Sequence, residues 1–128
     1  MEQTRLMEAQ VQARRIYNAL GEVESLSRQL AEALDRNDSV AVQMLLAMRE
    51  EPLLAAHHAR DILRQMVEGT DDGGRLRALL NGGAAEQSED SALAAQIAMN
   101  ERLLQQVREL DRVLSQKIAR NKSVYETK

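Results

Sequence analysis

The sequence predicts an all-α protein, an elongated antiparallel bundle of three long helices, and three observations support this prediction. Three long stretches carry apolar residues at alternating steps of three and four, the spacing of helices packed along one seam. The chain contains neither Phe nor Trp and has 2 Tyr residues, and a core of Leu, Ala, Met, Ile and Val is typical of long helices packed along narrow seams. Finally, all the glycines except Gly21 fall within residues 69–90, which separate the second helical stretch from the third.

The length and composition predict a single domain in a soluble, cytoplasmic protein. The 128 residues suit one helical-bundle domain, 1–128, with residues 69–90 as a flexible linker within it. Cysteine is absent, which excludes a disulfide framework and a Cys-based metal site. No apolar stretch of about 18 residues occurs, and the first residues do not resemble a signal peptide, so we expect no membrane insertion.

The charge pattern argues against a nucleic-acid-binding protein. The net charge is -3, from 17 basic and 20 acidic residues, and the two signs are interspersed along the chain. Proteins that bind nucleic acids usually present a basic face. Mixed charges of this kind are typical of the solvated faces of helices.

The first long helix is predicted from Thr4 to Arg36, a stretch with one Gly and no Pro. Its seam repeats every seven residues over four heptads, the pattern of a helix docked along partner helices. Gly21 weakens the helix by about 1 kcal/mol relative to Ala, which is too little to end it. The seam positions are Leu6, Ala9, Ala13, Ile16, Leu20, Val23, Ser27, Leu30 and Leu34.

A second long helix is predicted from Ser39 to Glu68, after a break at residues 36–39. Asn, Asp and Ser in the break cap helix starts, because their side-chain oxygens accept unsatisfied backbone N–H groups. So short a connection makes the second helix antiparallel to the first. Pro52 allows either one helix kinked at this residue or two shorter helices. The apolar heptad keeps its phase through the proline, which favours the single kinked helix. The seam positions are Ala41, Leu45, Met48, Pro52, Ala55, Ala59, Ile62 and Met66.

Residues 69–90 are predicted to form a Gly-rich linker that contains one short helix at 75–80. Gly82 is a suitable stop for that helix, because glycine adopts the left-handed conformation common after helix ends. We expect the short helix to be pinned to the rim of the bundle by Leu76, Leu79 and Leu80. The linker is long enough to leave the direction of the third long helix open.

The third long helix is predicted from Ser91 to Tyr125, a stretch without Gly or Pro, and Ser88, Asp90 or Ser91 can cap its start. Its apolar seam is interrupted by three polar residues, so the helix can pack on a bundle and still offer an apolar surface to a partner. The alternative is that the whole stripe belongs to the core or to a dimer seam. The interrupting residues are Asn100, Asp111 and Asn121.

The sequence predicts no enzyme, no cofactor and no metal site. It has no Ser/His/Asp or Cys/His set suited to nucleophilic catalysis, and its Gly-rich segments lack the Lys-Ser/Thr pair of a phosphate loop. The histidines are His57 and His58, which point about 100° apart on a helix and cannot chelate one ion together. His57 reaches Asp61 one turn later, but no further His or Cys completes such a site.

The order of these parts resembles the FlgN-type flagellar export chaperones, a family of small cytosolic proteins with long antiparallel helices. In that family a long first helix is followed by a turn with an acidic residue, similar to Asn37-Asp38-Ser39. The next helix carries an apolar run and a basic-acidic pair, similar to residues 45–50, LLAMRE. The final helix carries an Asn, then Leu pairs, then a Thr/Ser-x-Tyr ending. The similar residues here are Asn100, Leu103, Leu104, Leu110, Leu114 and Ser123-Val124-Tyr125.

The resemblance implies a cytosolic chaperone for the hook–filament junction proteins of the flagellum. Such a chaperone binds an amphipathic helical segment of its client, prevents premature assembly and delivers the client to the export gate. Met44, Met48 and Met66 would add adaptable packing if the client groove extends onto the second helix. The resemblance assigns contact with the export apparatus to Tyr125. The client-binding stripe would consist of Leu103, Leu104, Val107, Leu110, Leu114 and Ile118.

A second hypothesis comes from a different class of protein. A structural or adaptor coiled coil would form a homodimer through the same stripe and would bind no client. The two hypotheses differ in self-association, because a chaperone's self-association should yield to its client.

Overall fold

The computed structural model describes residues 3–68, 73–85 and 87–126, with side chains described as far as Asn121. Within these residues the chain is helical and contains no strand, so the predicted all-α class is confirmed. A single 3-10 turn, Ser88–Asp90, precedes the last helix. The helices are α1 (Gln3–Asp35), α2 (Ser39–Glu68), α3 (Gly73–Leu80) and α4 (Ser91–Glu126).

The predicted break between the first two helices is present, and two adjacent residues produce it. Asn37 takes the left-handed conformation with φ 57°, and its N–H donates to the Leu34 carbonyl at 3.2 Å while Asp38 N–H donates to Ala33 at 3.0 Å. This pair of bonds is the Schellman end of a helix. Asp38 then caps α2, because its Oδ1 accepts from Ala41 N–H at 3.1 Å.

Helix α2 continues through Pro52 without a break, which agrees with one long helix and not with two shorter ones. Pro52 is buried, so its ring packs toward the neighbouring helices. The kink at this residue stays a prediction. Beyond Pro52 the buried positions are Ala59, Leu63 and Val67.

The three apolar clusters of the core show how the long helices run relative to one another. At one end, Leu6 of α1 lies in a cluster with Val67 of α2 and Leu93 of α4. At the other end, Leu34 of α1 lies in a cluster with Leu114 of α4, against which Val42 of α2 packs. Helix α2 therefore runs antiparallel to α1, and α4 runs parallel to α1. The direction that the sequence left open is decided by these contacts.

The short helix predicted in the linker is present as α3, and its leucines anchor it as expected. Leu76 and Leu79 are buried in the cluster at the α1 N-terminal end, and Leu80 packs partly against it. The helix ends in a second Schellman motif, with Gly82 at φ 88° and bonds from Gly82 and Gly83 back to Leu79 and Ala78. A Cβ on Gly83 would lie 2.7 Å from the Ala78 carbonyl oxygen, so any side chain at this position would clash with the backbone of α3.

An ion pair ties α3 to the start of α4. Arg75 Nε donates to Asp90 Oδ2 at 2.7 Å, and Arg75 Nη2 donates to Asp90 Oδ1 at 2.8 Å. Glu89 accepts from the same guanidinium at 2.8 Å. Hydrogen bonds to Asp90 and Glu89 raise the pKa of Arg75 above its ordinary value. Asp90, one of the predicted N-caps, is therefore a buried partner of α3.

No helix in the described parts of the chain is both long enough and apolar enough to cross a membrane.

Candidate functional site

An apolar groove lies between α2 and α4, with α1 beneath it and α3 at one end. Its volume is about 430 Å³. Apolar side chains from all four helices line the groove. They are Ile16 and Leu20 of α1, Leu63 and Val67 of α2, Leu80 of α3, and Ile97 and Leu104 of α4. All seven are aliphatic, so this part of the groove is suited to apolar side chains.

The groove exists because α2 and α4 both pack on α1 and are held apart beside it. At the α3 end, Leu80 and Asn81 close the space between the two walls. At the other end, Leu53 and Ala56 of α2 pack against the cluster that contains Leu103 and Val107 of α4. Between these two ends the α2 wall runs from residue 60 to residue 68, which at 1.5 Å per residue is roughly 12 Å, or about two helical turns.

Charged side chains surround the opening of the groove. Arg60 and Arg64 lie one turn apart on α2, and Arg77 lies on α3. Glu68 of α2 and Glu101 of α4 also border the groove. A ligand would therefore meet an apolar floor and a charged rim, the arrangement expected where an amphipathic segment binds.

The structure divides the predicted client-binding stripe of α4 among different environments. Leu103, Val107 and Leu114 are buried in the clusters that join α4 to α1. Their surface is therefore already occupied, and the stripe that a partner could reach is narrower than we predicted. The side chains of these three residues face α1, because α4 packs on α1 over most of the length of α4.

The other three residues of the predicted stripe retain accessible surface. Leu104 is half-buried and borders the groove. Leu110 is half-buried, and Ile118, at 39% exposure, lies beyond the groove toward the C-terminal end of α4. The structure therefore brings Leu104 alone of the six into the groove. The predicted docking residue Tyr125 falls within the α4 backbone, but its side chain lies outside the described residues.

The polar residues that interrupt the α4 seam bond within the chain. Asn100 Nδ2 donates to the Ala13 carbonyl at 2.8 Å. Asp111 accepts from Arg49 Nη2 of α2 at 2.6 Å, and Asn121 Nδ2 reaches the Leu34 carbonyl at 3.5 Å. The interruptions therefore do not indicate a surface shared with a partner, contrary to our interpretation. They connect α4 to α1 and α2.

A second apolar surface lies on the back of α2, away from the groove, and sequence reasoning largely missed it. Val40, Met44 and Met48 recur every four residues and are 70%, 59% and 51% exposed, and Leu54 is 68% exposed. We assigned Met48 to the buried seam because it fits the heptad. Of the three methionines predicted to extend a client groove, Met44 and Met48 lie on this surface, whereas Met66 packs against the core.

Among the residues that the structure describes, no group of three His, Asp or Glu side chains is arranged to hold a metal ion. His57 and His58 are both exposed on α2. Comparisons with known proteins find no match, since no family model, no curated protein and no solved structure is significantly similar to the chain.

Proposed function

We propose that this protein is a cytoplasmic export chaperone of the FlgN type. It binds an amphipathic helical segment of a flagellar hook–filament junction protein, prevents the premature assembly of that client and delivers it to the export gate. The observation that carries this proposal is the apolar groove between α2 and α4, bordered by charged side chains. The resemblance of the chain's layout to that family supplies the client and the export step.

The groove suits a helix because its floor is aliphatic and its length is about two turns. A client helix would place apolar side chains at i, i+3 or i+4, and i+7 against Leu20, Leu63 and Leu104. Its polar face would remain in water beside the charged rim. We therefore propose the groove, with Leu104 as its α4 contact, as the client site in place of the full α4 stripe.

The proposal includes a finer architecture and a second contact. We infer an elongated bundle of the three long helices in which α2 is antiparallel to α1 and α4. We also infer that α2 is bent at Pro52, because proline removes one backbone hydrogen bond and crowds the preceding turn. The proposed contact with the export apparatus is Tyr125, near the end of α4. Residues 69–90, which include α3, connect the second and third long helices.

The experiment that tests this function measures capture of the terminal helical segments of junction proteins by the purified chain. Leu104→Glu places a charge in the groove, so capture should fall at least tenfold while the helical circular dichroism signal is retained. The matched control is Ile118→Glu, an exposed residue of the same helix outside the groove, which should bind normally. Unchanged capture by Leu104→Glu, or equal loss in both variants, would contradict the groove as the client site.

A homodimeric adaptor without a client is the second candidate, and one observation favours it. The exposed stripe of Val40, Met44, Met48 and Leu54 on α2 offers an apolar surface to a second copy. Light scattering distinguishes the two functions, since an adaptor would remain dimeric in the presence of junction-protein segments. The variant Met44→Lys with Leu54→Lys would convert such a dimer into monomers, whereas a monomer in the unmodified chain would exclude this candidate.

A further inference from the structure

The charges at the mouth of the groove are unevenly distributed, and their distribution indicates which helices it accepts. Arg60 and Arg64 stand on the α2 wall and Arg77 stands on α3. The acidic side chains at the mouth are Glu68 and Glu101. Three cations and two anions thus border one short apolar site. The cations lie on α2 and α3, and the anions lie at the end of α2 and on α4.

The arginines at the mouth have few charged partners among the residues that the structure describes. In the part of the chain that the structure describes, Arg60 and Arg77 take part in no ion pair. Arg64 approaches Asp61 at 4.0 Å, with side-chain exposures of 61% and 63%, and water weakens a pair as long and open as this. Arg49 and Arg75 show the contrast, since their carboxylate partners lie at 2.6 Å and 2.7 Å. A guanidinium fork binds carboxylates in a bidentate manner, so the mouth arginines are available to an incoming acidic side chain.

The size of the groove limits its occupant. The α2 wall of the groove runs from residue 60 to residue 68, roughly 12 Å, which is the length of about two helical turns. The arginines at the mouth are exposed. A helix that rests its apolar face on the floor therefore keeps the residues that flank this face near the arginines.

We propose that the groove selects a short amphipathic helix whose flanks carry Asp or Glu. This inference rests on the proposed function and names the chemical class of its client segment. Apolar side chains at i, i+3 or i+4, and i+7 contact the floor, and flanking carboxylates pair with Arg60, Arg64 and Arg77. The selection opposes the net charge of the chain, which is -3. Non-specific attraction to a chain of negative net charge would favour a basic helix. A preference for an acidic helix would therefore indicate binding at the arginines of the groove.

The test compares two capped helical peptides of about 14 residues, roughly 21 Å long. Both have the same Leu stripe at i, i+3 and i+7 in an Ala-rich background. One carries Glu at the flanking positions and the other carries Lys. Binding is measured by fluorescence anisotropy at low and moderate salt. The Glu peptide should bind about tenfold more tightly, and the difference should shrink as salt screens the exposed charges.

Variants of the arginines provide the decisive comparison. Arg60→Glu with Arg64→Glu should reverse the preference, so that the Lys peptide binds more tightly. Arg14→Glu with Arg15→Glu is the matched control, because it changes the net charge equally at exposed α1 positions that do not line the groove. This control should retain the preference for the Glu peptide.

The outcomes separate this inference from the proposed function. If both peptides bind equally, or the Lys peptide binds more tightly to the unmodified chain, the charge selection is overturned. Loss of binding of both peptides in Leu104→Glu would then leave the groove as a helix site, and the proposed function would stand. If neither peptide binds and junction-protein segments are not captured, both proposals fail. A reversal in the control as well as in the arginine variant would also overturn the selection.

Discussion

Arg49 of α2 and Asp111 of α4 form an ion pair of 2.6 Å that joins the two long helices packed on α1. Arg49 Nε also donates to Ser27 Oγ of α1 at 3.0 Å. Ser27 in turn donates to the Val23 carbonyl at 2.6 Å. One guanidinium therefore connects all three long helices, and the Arg49 side chain is 13% exposed. Along α1, this polar contact lies between two apolar clusters.

We predict that Asp111→Ala destabilises the fold by about 1–2 kcal/mol, because it leaves a largely buried guanidinium with Ser27 as its remaining partner. The Asp111 side chain is 47% exposed, so water offsets part of the loss. Urea unfolding followed by circular dichroism measures the change. Arg112→Ala, which removes an exposed pair with Glu109, is the control and should leave the unfolding curve unchanged. Equal effects of the two variants would show that the Arg49 contact has no special role.

We predict that the control variant Arg112→Ala also changes the titration of Glu109. A hydrogen bond from Arg112 lowers the pKa of Glu109 below its ordinary value. Arg112→Ala should raise the pKa of Glu109 toward that ordinary value, as measured by NMR of the side-chain carboxyl. A carboxyl whose pKa is lower in the folded state than in the unfolded state stabilises the folded state at pH values above its unfolded pKa. This stabilisation is lost as the pH falls through the folded-state pKa. The effect on stability should be too small to detect because both side chains are well exposed.

We predict that Arg75→Met loosens α3 without unfolding the long helices. Asp90 is buried and would lose the guanidinium that contacts both of its carboxylate oxygens, at a cost of about 1–3 kcal/mol for an unsatisfied group. Hydrogen exchange of the α3 amides should therefore accelerate, whereas the amides in the middle of α1 should change much less. Arg77→Met is the neighbouring control, since Arg77 is exposed and forms no ion pair among the described residues. Uniform acceleration throughout the protein would contradict a local role for Arg75.

We predict that alanine substitutions at two glycines change the stability of the protein in opposite directions. Gly21→Ala should stabilise the protein by about 0.5–1 kcal/mol, because alanine favours helix and a Cβ there meets nothing within 4 Å. Gly82→Ala should destabilise it by about 1 kcal/mol, because φ is 88° at the end of α3. Thermal unfolding of both variants tests the signs. The same sign for both would mean that helix propensity and turn conformation do not govern these sites.

We also predict that burial, not residue type, decides the cost of removing leucine. Leu30 is fully buried in the cluster at the α2 N-terminal end, so Leu30→Ala should cost about 2–5 kcal/mol. Leu54 is 68% exposed, so Leu54→Ala should change the unfolding free energy by less than about 0.5 kcal/mol. Chemical denaturation at low protein concentration measures both. A large cost for Leu54→Ala that grows with concentration would indicate a dimer formed through the α2 surface.

Local sequence rules predicted the helices well because their ends depend on nearby residues. The Asn37-Asp38 pair ends one helix and caps the next, and Gly82 ends α3, each through bonds to residues within five positions. The α1 seam was also predictable, since Leu6, Leu20, Leu30 and Leu34 are buried as the heptad required. In α2 the heptad was less reliable. Met48 is exposed, and the buried line shifts from Ile62 and Met66 to Leu63 and Val67, because a helix of 3.6 residues per turn drifts from a strict seven-residue repeat.

The sequence by itself determined the helical class, the positions of the four helices and the anchoring of α3 by its leucines. These follow from periodicity and capping, which act over a few residues. Only the tertiary structure decided that α4 runs parallel to α1, that Asn100 and Asp111 bond inward, and that a groove remains between α2 and α4. Each of these depends on which helices face one another in the folded chain. A seam pattern shows that a face is apolar but does not identify the helix that covers it.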